Sequence, residues 1–210
     1  MLKKIIDRIE GTWLFHVMNV LVAAIWLHDG VKAVLYYRET KQVSSLLLCA
    51  MNALLVIFYI RRRRATEVGT SWKVVVVANL GTFGNFLYEN GEPLHAAAYW
   101  PCTVVMCVAL VISLGAFLSL GRSWGIIPAN RGVKTGGLYR IVRHPIYASY
   151  VIFDAAYAVA VFTWRNVAVA ATIALILYAR AGYEEELLLR DPEYAAYAQR
   201  TRYKLIPGLL

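Results

Sequence analysis

The chain has 210 residues, 60% of them apolar and only 17% charged, with a mean hydropathy of +0.52. Soluble domains average about 45–50% apolar and about 25% charged residues, so this composition excludes an ordinary soluble globule and points to a bilayer as solvent. The net charge of +9 and a pI near 9.6 do not imply nucleic acid, because the basic residues sit in short clusters flanking apolar runs, the pattern of a cytoplasmic membrane face.

A spanning helix needs about 20 mostly apolar residues. After a charged, amphipathic stretch from Met1 to Glu10, the first such run covers Thr12 to Tyr37, with His28, Asp29 and Lys32 as interruptions. The second covers Ser44 to Ile60 and ends on Arg61-Arg62-Arg63-Arg64. In the third, Trp72 to Tyr88, Gly81, Thr82, Gly84 and Asn85 suit close helix contact better than lipid exposure. The fourth, Ala96 to Leu120, is long and clean. A loop from Gly121 to Pro145 follows. Two further apolar segments, Ile146 to Phe162 and Val167 to Tyr178, predict a helical hairpin whose second arm continues through Arg180 to Leu189.

With six spans and both termini inside, 18 Lys and Arg fall on the cytoplasmic side against 4 outside. The expected fold class is therefore all-α: a polytopic transmembrane helical bundle of five to six spans, six favoured, both termini cytoplasmic. Residues 1–120 form the first division, of about four spans. Residues 121–210 hold the loop, the hairpin and a tail. Asp191-Pro192-Glu193 predicts a helix start, with an acid at the N-cap and proline at the first helical position, opening a short interfacial helix that Pro207 and Gly208 end.

The chemistry-bearing residues gather in the second division. Gly136 and Gly137 allow close backbone approach to a ligand. Arg143-His144-Pro145 opens a helix, and a helix N-terminus beside an arginine is a natural anion site, suited to the carboxylate of an amino-acid-like cofactor or to a headgroup. Tyr147, Tyr150, Asp154 and Tyr157 share one helical stripe, and an ionisable residue such as Asp154 within a span faces a cavity or a neighbouring helix. Arg180 and Glu184 are spaced to pair along one helix face, and Glu184-Glu185-Glu186 either meet basic partners or bind ligand hydroxyls. Cys49, Cys102 and Cys107 read as small apolar residues without a disulfide. His16, His28 and His95 are isolated, so no metal site is expected. Neither a nucleophile elbow nor a phosphate loop is present.

The run Gly136-Gly137-Leu138-Tyr139-Arg140-Ile141-Val142-Arg143-His144-Pro145-Ile146-Tyr147, then Glu184-Glu185 after a hairpin, then Tyr194 and Tyr197, then Tyr203 to Gly208, resembles the isoprenylcysteine carboxyl methyltransferases and, more distantly, phospholipid methyltransferases. The resemblance covers residues 115–208. It implies an integral membrane enzyme that uses S-adenosylmethionine at a cytoplasmic face, in a bacterial or archaeal-type cytoplasmic membrane. Its acceptor would be lipophilic: an isoprenylcysteine-like carboxylate, a lipid amine or a thiol. Carried over by motif, Tyr139, Arg143, His144, Tyr147, Glu184, Glu185 and Arg202 bind the cofactor, Pro207 shapes the closing segment, and Arg143 and Glu185 are the catalytic expectation. The register can slip within Glu184 to Glu186. Methyl transfer from a sulfonium is an in-line displacement, so the protein mainly aligns the nucleophile and removes water. The expected partners are the bilayer and a lipophilic acceptor, with no nucleic acid and no metal. Two other readings are weighed against this one: an NADPH-dependent sterol or enone reductase on a related scaffold, and a small non-enzymatic membrane protein.

Overall fold

The computed structural model describes residues 12–41, 43–61, 63, 65, 67–68, 71–89 and 96–208. The charged stretch Met1 to Glu10, Arg62, Arg64 and His95 lie outside them. The helices are α1 (Leu14–Thr40), α2 (Val43–Arg61), α3 (Trp72–Phe83), α4 (Ala96–Leu120), α5 (Pro145–Ala160), α6 (Trp164–Leu188) and α7 (Pro192–Arg200). Packing runs α1 on α2, α2 on α4, α4 on α5, α5 on α6, and α6 on α3.

Among the described residues, three segments are long and apolar enough to cross a bilayer: Leu14–Thr40, Ala97–Ser123 and Trp164–Leu188. The six-span expectation is thus met in length only in part. At 12 residues, α3 rises about 18 Å, short of a hydrocarbon core of about 30 Å. It ends at Phe83, where the chain tightens into a 3-10 turn, Gly84–Leu87. The glycines there have the expected use. A Cβ on Gly81 would stand 3.2 Å from the Leu177 side chain, and one on Gly84 would stand 3.1 Å from Ile173, so their absence lets α3 lie against α6.

Among the described residues, the all-α expectation has one small exception. Glu67–Val68 (β1) pairs antiparallel with Ala129–Asn130 (β2), tying the segment after α2 to the long loop. The same seam carries backbone and side-chain bonds: Arg63 N–H donates to the Arg122 carbonyl, Arg122 Nε to the Arg61 carbonyl, and Arg131 Nε to the Arg63 carbonyl. These arginines satisfy carbonyls at and just beyond the C-terminal end of α2, which a helix leaves without internal partners.

The core is apolar and continuous, built on Leu55, Ala78, Phe117, Leu177 and Ala181. Trp124 drives the loop into it, its ring edge-on to Tyr59 at 4.8 Å and to Phe117 at 5.5 Å. At the opposite end of the hairpin, Thr163 caps α6 by accepting from Asn166 N–H. Asn166 is fully buried; it accepts from Glu89 N–H and donates to the Glu89 and Val161 carbonyls, while Tyr157 also donates to Glu89. Tyr157 therefore serves this far lock. As predicted, α6 is one unbroken helix past Arg180, and Asp191 accepts from Glu193 N–H with Pro192 at the first turn of α7.

Candidate active site

The loop, the start of α5, the end of α6 and the tail converge at one end of the bundle. Their junction is a single carboxylate. Glu185 Oε1 accepts from Arg143 Nε at 2.6 Å and from His144 Nε2 at 3.1 Å, and Glu185 Oε2 faces Lys204 Nζ at 3.0 Å. Three segments far apart in sequence are thereby held by one side chain, in charge-assisted bonds stronger than neutral ones. Arg143 also donates through Nη1 to the Thr201 and Arg202 carbonyls. The tail then docks as backbone: Arg143 N–H donates to Tyr203 and His144 N–H to Lys204.

These contacts bear on the anion-site expectation at the start of α5 only for the amides that precede the helix. The amides just before Pro145 serve the tail, and proline itself has no N–H to offer. The glycine expectation changes as well. Gly137 has φ +60, and a Cβ there would collide with the Ser119 hydroxyl, so its small size admits α4, whereas a Cβ on Gly136 would meet open space. The predicted pair between Arg180 and Glu184 is not formed. Arg180 turns inward, donating from Nη1 to the Ala78 carbonyl and the Thr82 hydroxyl and from Nη2 to the Ile126 carbonyl, with its guanidinium 5.0 Å over the Tyr147 ring. Glu184 accepts instead from the Tyr147 hydroxyl at 2.7 Å.

Above this junction lies a cleft of about 770 Å³ including its open mouth. Arg131, Lys134, Tyr139, Arg143, His144, Tyr147, Arg180, Glu184, Tyr194 and Tyr197 are on its walls. Of the residues singled out from sequence, Tyr139, Arg143, His144, Tyr147 and Glu184 reach the cleft. Glu185 and Arg202 are not among its lining residues; Glu185 holds the wall from behind, and Arg202 supplies the carbonyl to Arg143. The His144 and Tyr147 rings stack face to face, 2° from parallel at 5.3 Å.

Sequence reasoning missed Arg131, Trp124, Lys204 and the inward turn of Arg180. Arg131 is 5% exposed, and its guanidinium lies where a Cβ on Gly125 would stand, at 2.8 Å. No local pattern signals it; the glycine five residues after the end of α4 is the one trace.

Burial raises the Tyr139 and Tyr194 hydroxyls well above their ordinary range, with nearby Glu184 adding to the effect, and pushes Tyr197 up to about 12. All three are hydrogen-bond donors at neutral pH. Tyr197 donates to the Tyr139 carbonyl at 2.7 Å. The Tyr194 hydroxyl, on the cleft wall, is buried without a partner. An orphaned donor in a site with a free opening is what a ligand acceptor would satisfy.

A second cavity, about 910 Å³ including its opening, lies in the bundle among α1, α2, α3, α4, α5 and α6. Trp124, Ile146, Tyr147 and Arg180 line both spaces and form the wall between them. Asp154 lines this inner chamber, as its place on the stripe predicts.

Among the described residues, three apolar helices long enough to span point to an integral membrane protein, with a cleft carrying charged side chains and a second, more apolar cavity sharing its wall. Residues 102–190, which hold α4 from its second turn, the loop and the hairpin, match the isoprenylcysteine carboxyl methyltransferase (ICMT) family. That family implies methyltransferase activity. No curated protein matches the chain.

Proposed function

We propose that the chain binds S-adenosylmethionine in the polar cleft and methylates a lipophilic acceptor held in the inner chamber, with the cleft on the cytoplasmic face. The observation that carries this reading is the shared wall. A cleft that carries charged side chains and a more apolar chamber meet at Tyr147 and Arg180, which suits a two-substrate transfer between a water-soluble donor and a membrane-dissolved acceptor.

The residues present fit the cofactor. Arg131 and Lys134 offer positive charge for a carboxylate, Glu184 has a second oxygen for a ribose diol or an ammonium, and the Tyr194 hydroxyl awaits an acceptor. The bound cofactor would supply an activated methyl group on a sulfonium. The protein's part is alignment and exclusion of water. Tyr147 and Arg180 orient the acceptor at the shared wall. Arg143, His144, Glu185 and Lys204 position the tail that closes the cleft. Arg143 and Glu185 thus act through the geometry they hold, and Tyr147 and Glu184 stand nearer the reacting groups.

The test is calorimetric binding of S-adenosylmethionine and S-adenosylhomocysteine to detergent-purified protein, with NADPH alongside. The reading expects saturable binding of both adenosyl compounds and none of NADPH. Binding of NADPH alone would assign the cleft to a reductase, and binding of none of the three would remove the methyltransferase reading.

A further inference from the structure

The inner chamber is too polar at one place to be a slot for plain hydrocarbon. Most of its wall is apolar, with Trp26, Met51, Leu55, Leu110, Phe153 and Ile173 facing in from five helices. Into that wall are set Asp154, 8% exposed, and Ser113, 1% exposed. Ser113 Oγ lies beside Tyr150, one turn from Asp154, and makes no well-formed hydrogen bond. The Tyr88 hydroxyl faces Asp154, also without a well-formed bond. Arg180 is committed to Ala78, Thr82 and Ile126, and not to Asp154. Burying a carboxyl and a hydroxyl in an apolar wall, with only the Tyr88 and Tyr150 hydroxyls beside them, is costly, and the cost rises at membrane depth. The chain does so where both groups face an open space of ligand size.

The other end of the chamber is the shared wall. Tyr147 and Asp154 are seven residues apart on α5, about 10 Å along the helix. A molecule lying along α5 would touch Tyr147 and Arg180 at one end and the Asp154 group at the other.

We propose that the chamber takes an acceptor whose chain carries a hydrogen-bond donor, a hydroxyl or an amine, about 10 Å from the end that meets the cofactor cleft. Asp154 and Ser113 select that donor. An unsubstituted chain would leave the Ser113 hydroxyl dry and Asp154 with only the Tyr88 hydroxyl beside it, and sites built around buried polar groups discriminate strongly on this ground. Which end is methylated rests on the methyltransferase reading; the preference for a donor does not.

The experiment measures binding of dodecylamine, dodecanol and dodecyl methyl ether to the full chain in nanodiscs, with S-adenosylhomocysteine binding measured on the same samples. The amine or the alcohol is expected to bind roughly tenfold tighter than the ether, which accepts but cannot donate. In Asp154→Leu/Ser113→Ala the preference should vanish while S-adenosylhomocysteine still binds, which shows the fold intact. If that double variant folds poorly, Asp154→Asn alone must reduce the amine's advantage several-fold. An advantage of the amine alone assigns a cationic donor, and equal advantage of amine and alcohol a neutral one. Equal binding of all three probes to the unaltered chain, or a preference that survives removal of Asp154 and Ser113, overturns the proposal. Loss of adenosyl binding with the donor preference intact would instead remove the methyltransferase reading and leave the chamber's specificity standing.

Discussion

At the scale of single residues, the two neighbouring acids at the end of α6 have different work. Glu185 is 12% exposed and meets two cationic side chains and the His144 ring, so removing it leaves Arg143 and Lys204 crowded without their counter-charge and His144 without its partner. Glu185→Ala should lower stability by about 3 kcal/mol and loosen the tail, read as a fall in melting temperature in detergent together with weaker adenosyl binding. Glu184 has Tyr147 as its bonded partner and faces the cleft. Glu184→Gln should leave melting nearly unchanged and weaken S-adenosylhomocysteine binding roughly tenfold. If the two variants behaved alike, this division of labour would be wrong. Tyr197 offers a pH-dependent check. Its hydroxyl is raised from 10.0 to about 12 by burial, so folding favours the protonated form. Its contribution is complete below pH 10 and is lost as pH rises through about 12. Tyr197→Phe should cost about 1 kcal/mol at neutral pH, through the bond to the Tyr139 carbonyl, and flatten the alkaline decline in melting temperature.

At the scale of elements, two close approaches depend on absent side chains. Ile173 of α6 occupies the space a Gly84 Cβ would need, so Gly84→Val should cost about 1–3 kcal/mol through forced repacking. Gly137→Ala should cost at least as much, since a positive φ and the Ser119 hydroxyl both oppose it. The two differ in readout. Gly137 sets the turn that carries Tyr139 into the cleft, so its variant should lose adenosyl binding beyond what the melting change explains. The link between loop and tail helix is electrostatic. Asp191 accepts from the Asn130 amide, which holds its carboxyl below the usual range, and from Glu193 N–H. This contribution is present at neutral pH and is lost on acidification through that lowered value. Asn130→Ala should therefore destabilise the tail helix at neutral pH and lose that effect in acid, measurable by hydrogen exchange of α7 amides.

At the scale of the whole molecule, the exposed surface has the character of a lipid-facing protein. Val104, Val108, Val111, Leu118 and Leu175 are all more than half exposed on the two longest apolar helices after α1. Trp13, Trp72, Trp100 and Trp164 stand at or near helix starts and are each at least 68% exposed. Tryptophan belongs at bilayer interfaces, and in the six-span topology these four fall two to a side. That topology has a direct test. Single cysteines in place of Lys134 and Arg165, in a background lacking Cys49, Cys102 and Cys107, should label from opposite sides of sealed vesicles. Labelling from one side would refute six spans, because the hairpin arm α5 would then fail to cross.

How far the sequence reaches follows from which interactions are local. The helices, the capping of α7 by Asp191 and Pro192, the small-residue contact at Gly81 and Gly84, and the placement of Asp154 on a cavity wall were all legible, because each depends on periodicity or on neighbours within a turn or two. The motif Arg143-His144-Pro145 and the acids Glu184 and Glu185 were legible as a group but not in their roles. Local spacing pairs Arg180 with Glu184, yet Arg180 finds buried carbonyls from α3 and the loop, where desolvation makes each bond worth more than a surface ion pair. Likewise the amides before α5 look open in sequence and are taken by Tyr203 and Lys204, about sixty residues on. Composition and local pattern determined the solvent, the helices and the family resemblance. Only tertiary structure decided which side chains line the cleft and which hold its wall, because that choice is made by contacts between segments that the chain itself keeps far apart.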